Sequence, residues 1–210
     1  MRRFSQIALA ILAVLMVTLA FDSAGAAEAK AKTETGAPPP IYIMRGGLNI
    51  FSTGMDVLAK ELTDDGYPAI SDGFMDWRKQ MAKMIAAYRA HPYPIIVIGH
   101  SYGADTALLM AYKLRDEHVP IELLVFYDLT NSGRVPYNVA HVLNFRSSSS
   151  TGINVTVTGG AHFSGTITNV TRPDLNHLNV DKAEDLHKQT IDEIETLLGK
   201  PAKSTKTAKE

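Results

Sequence analysis

The stretch "PIIVIGHSYGADTALLM", residues 94–110, decides the fold of this chain. Its first half is apolar at almost every position, as in a central strand of a parallel sheet, whose two faces are both covered. Its second half is rich in alanine, leucine and methionine, which favours a buried helix. Ser101 lies between the halves, in a Gly-His-Ser-Tyr-Gly turn. The stretch therefore predicts a strand, a tight turn and a helix in immediate succession.

The same alternation of strands and helices extends in both directions from this stretch. Short apolar, β-branched segments predict strands, and apolar residues spaced three or four apart predict helices. Such an alternation implies right-handed crossovers and a mostly parallel central sheet flanked by helices, which is the α/β class. The predicted strands are 41–45, 67–70, 94–100, 121–128, 141–147 and 153–159, and the predicted helices cover 55–62, 77–88, 102–117 and 181–198.

The N-terminus has the pattern of a secretory signal peptide. Arg2 and Arg3 precede an apolar run from Ile7 to Phe21, and the small residues Ala24-Gly25-Ala26 follow. The run is shorter than the roughly 20 residues that a membrane-spanning helix needs. We therefore expect residues 1–26 to be a bacterial export signal that is cleaved rather than kept as an anchor. The mature protein is then periplasmic or secreted and has no stable membrane insertion.

Two low-complexity segments flank the predicted domain. Residues 27–40 are small and charged and end in three prolines, and residues 200–210 are rich in lysine. Neither composition can bury a core, so both segments are predicted to be disordered. The folded domain is expected to cover residues 41–199.

The composition excludes several functions. The formal net charge is −1, which gives no indication of nucleic acid as a partner. The chain has no cysteine, so disulfides, thiolate metal sites and cysteine nucleophiles are all excluded. The glycines do not form a phosphate-binding loop, because neither a P-loop lysine nor a G-x-G-x-x-G pattern is present.

The turn around Ser101 has the features of a nucleophile elbow. In a tight strand-to-helix turn, the residues two positions before and after the serine must be small, and Gly99 and Gly103 satisfy this. The next backbone N–H, that of Tyr102, then lies at a helix N-terminus, where it favours an anion. The alternative is a glycine-rich structural turn without chemistry. The flanking strand and helix favour the elbow.

From about Ile41 to Leu198 the sequence resembles the α/β-hydrolase superfamily, especially its small lid-less and thioesterase-like members. Three motifs carry the resemblance: the serine turn, the early loop Arg45-Gly46-Gly47-Leu48 and the late Asn176-His177-Leu178. The resemblance implies a minimal α/β-hydrolase fold with no large cap. It also implies a nucleophile, an acid and a histidine base that follow one another in chain order.

Two histidines match the position of the base in this resemblance. His162 directly follows the last predicted strand, and His177 lies in the loop before the final helix. The intervening segment 163–171 looks partly extended, which favours His177. Both assignments remain open from the sequence.

Asp128 is the candidate acid. It ends the strand that follows the serine turn, whereas the next strand leads into Ser147–Ser150 with no carboxylate. The resemblance allows the acid at this earlier position in thioesterase-like members. Asp174 and Asp181 are less suitable, because each lies close to His177 in sequence. The alternative for Asp128 is a cap of the turn in "DLTNSG".

The resemblance implies a serine hydrolase in which Ser101, Asp128 and His177 are catalytic. The backbone N–H of Tyr102, with that of Gly47 or Leu48, would form an oxyanion hole. No cofactor or metal is expected, and the substrate would be a small acyl ester or thioester. Two alternatives stay open: a non-catalytic binding protein of the cell envelope, and a peptidase or acyltransferase with the same residues.

Overall fold

The computed structural model describes residues 38–47, 52–131, 133–147 and 155–201. The expected signal peptide, most of the expected linker 27–40 and most of the tail 200–210 lie outside these residues. Within these ranges, no helix is both long enough and apolar enough to cross a bilayer.

The described residues form strands and helices in alternation. The strands are β1 Ile41–Arg45, β2 Ala69–Gly73, β3 Ile96–His100, β4 Ile121–Tyr127, β5 Arg134–Val135, β6 Val139–Ser147, β7 Thr158–Gly159 and β8 Thr166–Arg172. The helices are α1 Thr53–Asp64, α2 Trp77–Ala90, α3 Tyr102–Asp116 and α4 Glu184–Leu198, with 3₁₀ turns at Phe74–Asp76 and Val180–Lys182.

Six strands form one parallel sheet in the order β2-β1-β3-β4-β6-β8. The predicted α/β class with a mostly parallel sheet is therefore confirmed. The strand β3, which leads to Ser101, lies inside the sheet between β1 and β4. Because all six strands run in the same direction, their carboxyl ends meet at one edge, where loop residues converge.

The sheet is covered on both faces, and β3 contributes to both cores. Its residue Val97 packs into a cluster with helices α2 and α3, and its neighbours Ile96 and Ile98 pack with helices α1 and α4. All three side chains are fully buried. Each such burial stabilises the fold by about 1.5–3 kcal/mol, so the strand is held firmly beneath the serine turn.

The prediction of a sheet strand at residues 153–159 is wrong. Among its described residues, 155–159, only Thr158–Gly159 form a strand, and this strand pairs with β5 in a separate two-stranded sheet. The side chain of Asn169 explains the difference, because its amide exchanges hydrogen bonds with the backbone of Val157 at 3.0 and 3.1 Å. The Asn169 side chain thus makes the hydrogen bonds that a neighbouring strand would otherwise make with this segment. The edge strand of the main sheet is β8.

Candidate active site

Ser101 lies in a strained turn between β3 and α3. Its backbone has φ 57° and ψ −129°, a combination that L-residues rarely adopt. Its N–H donates to the carbonyl of Tyr127 at 3.0 Å. Its own carbonyl accepts from the N–H groups of Ala104 and Asp105 at 2.8 and 3.1 Å. These backbone hydrogen bonds hold the strained conformation, which is of the kind that clusters at functional sites.

The glycines on either side of Ser101 are required by close backbone contacts. A Cβ at Gly99 would lie 2.3 Å from the carbonyl oxygen of Gly103. A Cβ at Gly103 would lie 2.0 Å from the carbonyl oxygen of Met44 on β1. Both distances are far below van der Waals contact, so only glycine allows α3 to pack this closely against the strands.

Ser101, His177 and Asp128 form one hydrogen-bonded chain at the carboxyl edge of the sheet. His177 Nε2 lies 2.9 Å from Ser101 Oγ, and His177 Nδ1 lies 3.1 Å from Asp128 Oδ2. A carboxylate only accepts, so Nδ1 carries the hydrogen and Nε2 accepts from the serine hydroxyl. This arrangement has the geometry of a nucleophile, a general base and an orienting acid.

The Asp128 carboxylate is buried and held by β6. Its Oδ1 accepts from the backbone N–H of Ser147 at 2.6 Å, and its Oδ2 accepts from the Ser147 hydroxyl at 2.5 Å. Asp128 is only 1% exposed. Ser147 was not singled out from the sequence, because its contact with Asp128 depends on β6 lying beside β4 in the folded sheet.

The turn after Asp128 is capped by another residue. The carboxylate of Asp105 on α3 accepts from the backbone N–H groups of Thr130 and Asn131, both at 3.0 Å. The capping role that was the alternative for Asp128 therefore falls to Asp105 in the structure.

The other sequence candidates lie in different surroundings. His162 lies in an exposed turn between β7 and β8. Asp174 pairs with Arg172 at the surface, and the guanidinium lowers the pKa of the Asp174 carboxyl. Asp181 is buried and accepts from the backbone N–H of Gly54 at 3.0 Å.

Comparisons with known proteins agree with this architecture. No protein-family model and no curated protein matches the chain. Among solved structures, a lid-less α/β serine hydrolase from Xanthomonas campestris is 16% identical, over 81% of this chain and 86% of its own, with a TM-score of 0.52. Human thioesterase 2 is 14% identical, over 78% of this chain and 99% of its own, with a TM-score of 0.51. The chain has the α/β-hydrolase fold.

The expected α/β-hydrolase fold is thus confirmed, with the serine turn between β3 and α3 and His177 in the loop before α4. In α/β hydrolases the nucleophile stands on a strand-to-helix turn, and the oxyanion hole combines the next N–H with one from an early loop. Tyr102 begins α3, so its N–H is one of the first-turn donors that have no acceptor within a helix.

The loop after β1 lies against the serine turn. A Cβ at Gly46 would lie 2.8 Å from Ser101 Cβ, and a Cβ at Gly47 would lie 3.5 Å from the Tyr102 ring. Gly47 therefore lies beside the Tyr102 ring, and its assignment as the second oxyanion donor stays a prediction. Leu48, the other candidate for that donor, lies outside the described residues.

Two further observations concern possible metal sites and cavities elsewhere in the described residues. Among the described residues, no group of three or more histidine, aspartate or glutamate side chains could hold a metal ion. A surface cavity of about 470 Å³ is lined by Pro120, Tyr137 and His141. It lies at the start of β4 and β6, which is the opposite end of the sheet from Ser101. The hydrogen-bonded chain at the carboxyl edge remains the candidate active site.

Proposed function

We propose that the protein is a serine hydrolase that cleaves carboxylic esters or thioesters. The observation that carries the proposal is the chain of hydrogen bonds from Asp128 through His177 to Ser101, at 3.1 and 2.9 Å. The backbone strain at Ser101 supports it, because the same turn in α/β hydrolases exposes a nucleophile. The fold is shared with proteins described as a serine hydrolase and a thioesterase.

Acylation follows from the geometry. Ser101 Oγ attacks the acyl carbonyl carbon while its proton passes to His177 Nε2, and Asp128 stabilises the resulting imidazolium. The carbonyl oxygen becomes an oxyanion that faces the N–H groups of Tyr102 and of Gly47 or Leu48. Each such donor lowers the barrier by about 3–4 kcal/mol. The oxyanion then collapses, the proton on Nε2 moves to the alcohol or thiol, and that group leaves.

Deacylation repeats the steps with water. His177 takes a proton from a water molecule, and the hydroxide attacks the ester that joins the acyl group to Ser101. The second oxyanion collapses, Nε2 returns the proton to Ser101 Oγ, and the carboxylic acid leaves. The histidine serves as base and acid in turn, which requires its neutral form at the start of each half-reaction.

Exposed apolar side chains beside the site favour an apolar acyl group. Tyr102 is 55% exposed and Leu178 is 58% exposed, and they directly follow Ser101 and His177 in the chain. The Phe74 ring lies 5.9 Å from the Tyr102 ring. Exposed hydrophobic groups next to a catalytic site commonly bind substrate. We propose that short, accessible acyl groups lie over this surface. A preference for palmitoyl over butyryl esters would contradict this.

Active-site labelling tests the function. A fluorophosphonate probe is expected to label the folded protein, and p-nitrophenyl butyrate and an S-butyryl thioester are expected to be hydrolysed. Ser101→Ala abolishes both the labelling and the hydrolysis. Ser71→Ala is the matched control, because the Ser71 hydroxyl bonds to Asp56 and not to the site. A folded wild type that neither labels nor hydrolyses either substrate refutes the proposal.

We also propose that the protein is exported to the periplasm or beyond the cell. The support is the sequence pattern of residues 1–26, with Arg2 and Arg3 before the apolar run. Cell fractionation and N-terminal sequencing of the mature chain test it. A new N-terminus close to Ala27 is expected, and a cytoplasmic chain that retains Met1 contradicts export.

A further inference from the structure

We propose that His100 is a positioning residue that holds the main chain of His177, and that it thereby fixes the base relative to the nucleophile. The inference rests on the proposed function, because it assigns His177 as the base. His100 ends β3 and directly precedes Ser101, and it is only 1% exposed. The residue that carries the nucleophile and the residue that holds the base are therefore neighbours in the chain.

The contacts of the His100 ring join two loops at the site. His100 Nε2 lies 3.0 Å from the carbonyl oxygen of His177. His100 Nδ1 lies 2.8 Å from Ser52 Oγ, which in turn accepts from the backbone N–H of Gly46 at 2.9 Å. One buried ring thus links the loop of the base to the loop after β1 that carries the proposed oxyanion donor.

The hydrogen-bond partners of His100 fit a neutral ring. A carbonyl oxygen only accepts, so Nε2 must carry the hydrogen. Ser52 accepts from Gly46 and has its own hydrogen free to donate to Nδ1. A neutral ring with its hydrogen on Nε2 satisfies both nitrogens, since Nε2 donates to the His177 carbonyl and Nδ1 accepts from Ser52. Burial lowers the pKa of His100, which agrees with a neutral ring.

Few other contacts hold the loop of the base to the sheet: the Leu175 N–H donates to the carbonyl of Arg172, where β8 ends, and the Leu175 side chain packs against the buried core. None of residues 173–179 is buried. The backbone hydrogen bonds at its end, from Asn179 and Val180 to the carbonyl of Asn176, are internal to the loop. The bond from His100 to the His177 carbonyl joins this loop to a strand end instead. Its loss would free the base to shift, and a displacement of about 1 Å can cost about 100-fold in rate.

Two substitutions distinguish the hydrogen bond made by His100 Nε2 from the one made by His100 Nδ1. In His100→Gln, the side-chain amide nitrogen takes the place of Nε2 and still donates to the His177 carbonyl. In His100→Asn, the shorter amide reaches only the place of Nδ1, so the Ser52 contact is kept and the His177 contact is lost. His100→Leu removes both contacts.

Steady-state kinetics with p-nitrophenyl butyrate, together with thermal unfolding, test the inference. We expect His100→Gln to keep kcat within about 3-fold of wild type. We expect His100→Asn and His100→Leu to lower kcat by about 10- to 100-fold with little change in KM. His187→Gln is the control, because it also removes a buried histidine that bonds to a carbonyl, that of Asp181 at 2.7 Å. It is expected to lower stability and to leave kcat unchanged.

The outcomes distinguish this inference from the proposed function. If the wild type hydrolyses esters through Ser101 but folded His100→Leu keeps the wild-type kcat, the positioning role is wrong and the hydrolase stands. If His100→Leu does not fold, the comparison of His100→Gln with His100→Asn decides. Equal kcat in those two variants overturns the role, because only the Gln variant keeps the bond to the His177 carbonyl. A wild type without Ser101-dependent hydrolysis overturns both proposals.

Discussion

Ser147 Oγ lies 2.5 Å from Asp128 Oδ2, the same carboxylate oxygen that faces His177 Nδ1 at 3.1 Å. The Ser147 N–H also donates to Asp128 Oδ1 at 2.6 Å. The acid of the proposed triad is therefore fixed by β6 from one side while it orients the histidine on the other. Because Ser147 is fully buried, no water replaces a lost donor without rearrangement.

The first prediction concerns the Ser147 hydroxyl. Ser147→Ala removes one of two donors to Asp128 Oδ2 but keeps the backbone donor to Oδ1. A hydrogen bond to a charged group contributes about 1.5–3 kcal/mol, so we expect kcat/KM to fall by about 10- to 100-fold. Steady-state kinetics with an ester substrate measure the effect. The control Thr190→Val removes a buried hydroxyl that bonds to the side-chain hydroxyl of Tyr127 and not to Asp128, and it should leave kcat/KM unchanged. Equal activity of Ser147→Ala and wild type would show that the hydroxyl does not orient Asp128.

The second prediction concerns the acid itself. Asp128→Asn removes the charge that stabilises the imidazolium and offers His177 a partner that favours the wrong tautomer. We expect kcat to fall by about 10⁴-fold, the order seen when a triad acid becomes an amide. Asp174→Asn is the control, since Asp174 pairs with Arg172 at the surface and should tolerate the change. A large loss of kcat in the Asp174 variant with little loss in the Asp128 variant would reverse the assignment.

The element around Ser101 was predictable because its signals are local. The apolar run, the glycines at 99 and 103 and the Ala/Leu-rich continuation predict strand, turn and helix, and α3 begins at Tyr102 as expected. The strand prediction failed at residues 155–157 because a side chain from elsewhere in the chain bonds to that segment. The Asn169 amide satisfies the backbone of Val157, and no periodicity in the segment itself reports this.

The partners of the site residues were not predictable, because they depend on how distant strand ends meet. His100 reaches a carbonyl 77 residues away, and Asp128 accepts from a residue 19 positions later. A sequence pattern identifies a residue type that suits a role. The pattern does not identify which buried histidine, or which serine at a strand end, will lie beside that residue after folding.

The third prediction concerns the close contact beneath the serine turn. In Gly103→Ala the new Cβ would lie 2.0 Å from the Met44 carbonyl oxygen, and neither backbone segment can move without disturbing the sheet. We expect the free energy of unfolding to fall by at least about 3 kcal/mol, the upper part of the range for overpacked cores. Urea unfolding measures this. Gly47→Ala is the control for stability alone, because its nearest contact, the Tyr102 ring, is 3.5 Å away. Equal unfolding midpoints for the two variants would contradict the packing argument.

The fourth prediction concerns the pH dependence of stability that His100 confers. Burial lowers the pKa of His100 in the folded state below its ordinary value of 6.5, and the charge of the His177 ring acts in the same direction. The charges of Asp181 and Asp128 and the hydrogen bond to the His177 carbonyl oppose this shift. The unfolded chain therefore protonates His100 more readily than the folded chain does. Stability from the neutral ring is present above pH 6.5 and is lost as the pH falls from there through the folded-state pKa.

His100→Gln removes this group while keeping its donor to His177, so it isolates the effect of the titration. Below about pH 6.5, the free energy of unfolding of the wild type should fall more steeply than that of the variant, by up to about 1.4 kcal/mol per pH unit, the limit for one proton. Urea unfolding between about pH 7 and about pH 5 measures both slopes. His91→Gln, which removes an exposed histidine, should follow the wild-type curve. Parallel curves for wild type and His100→Gln would mean that His100 binds its proton as readily in the folded chain as in the unfolded one, and the buried neutral ring would then be wrong.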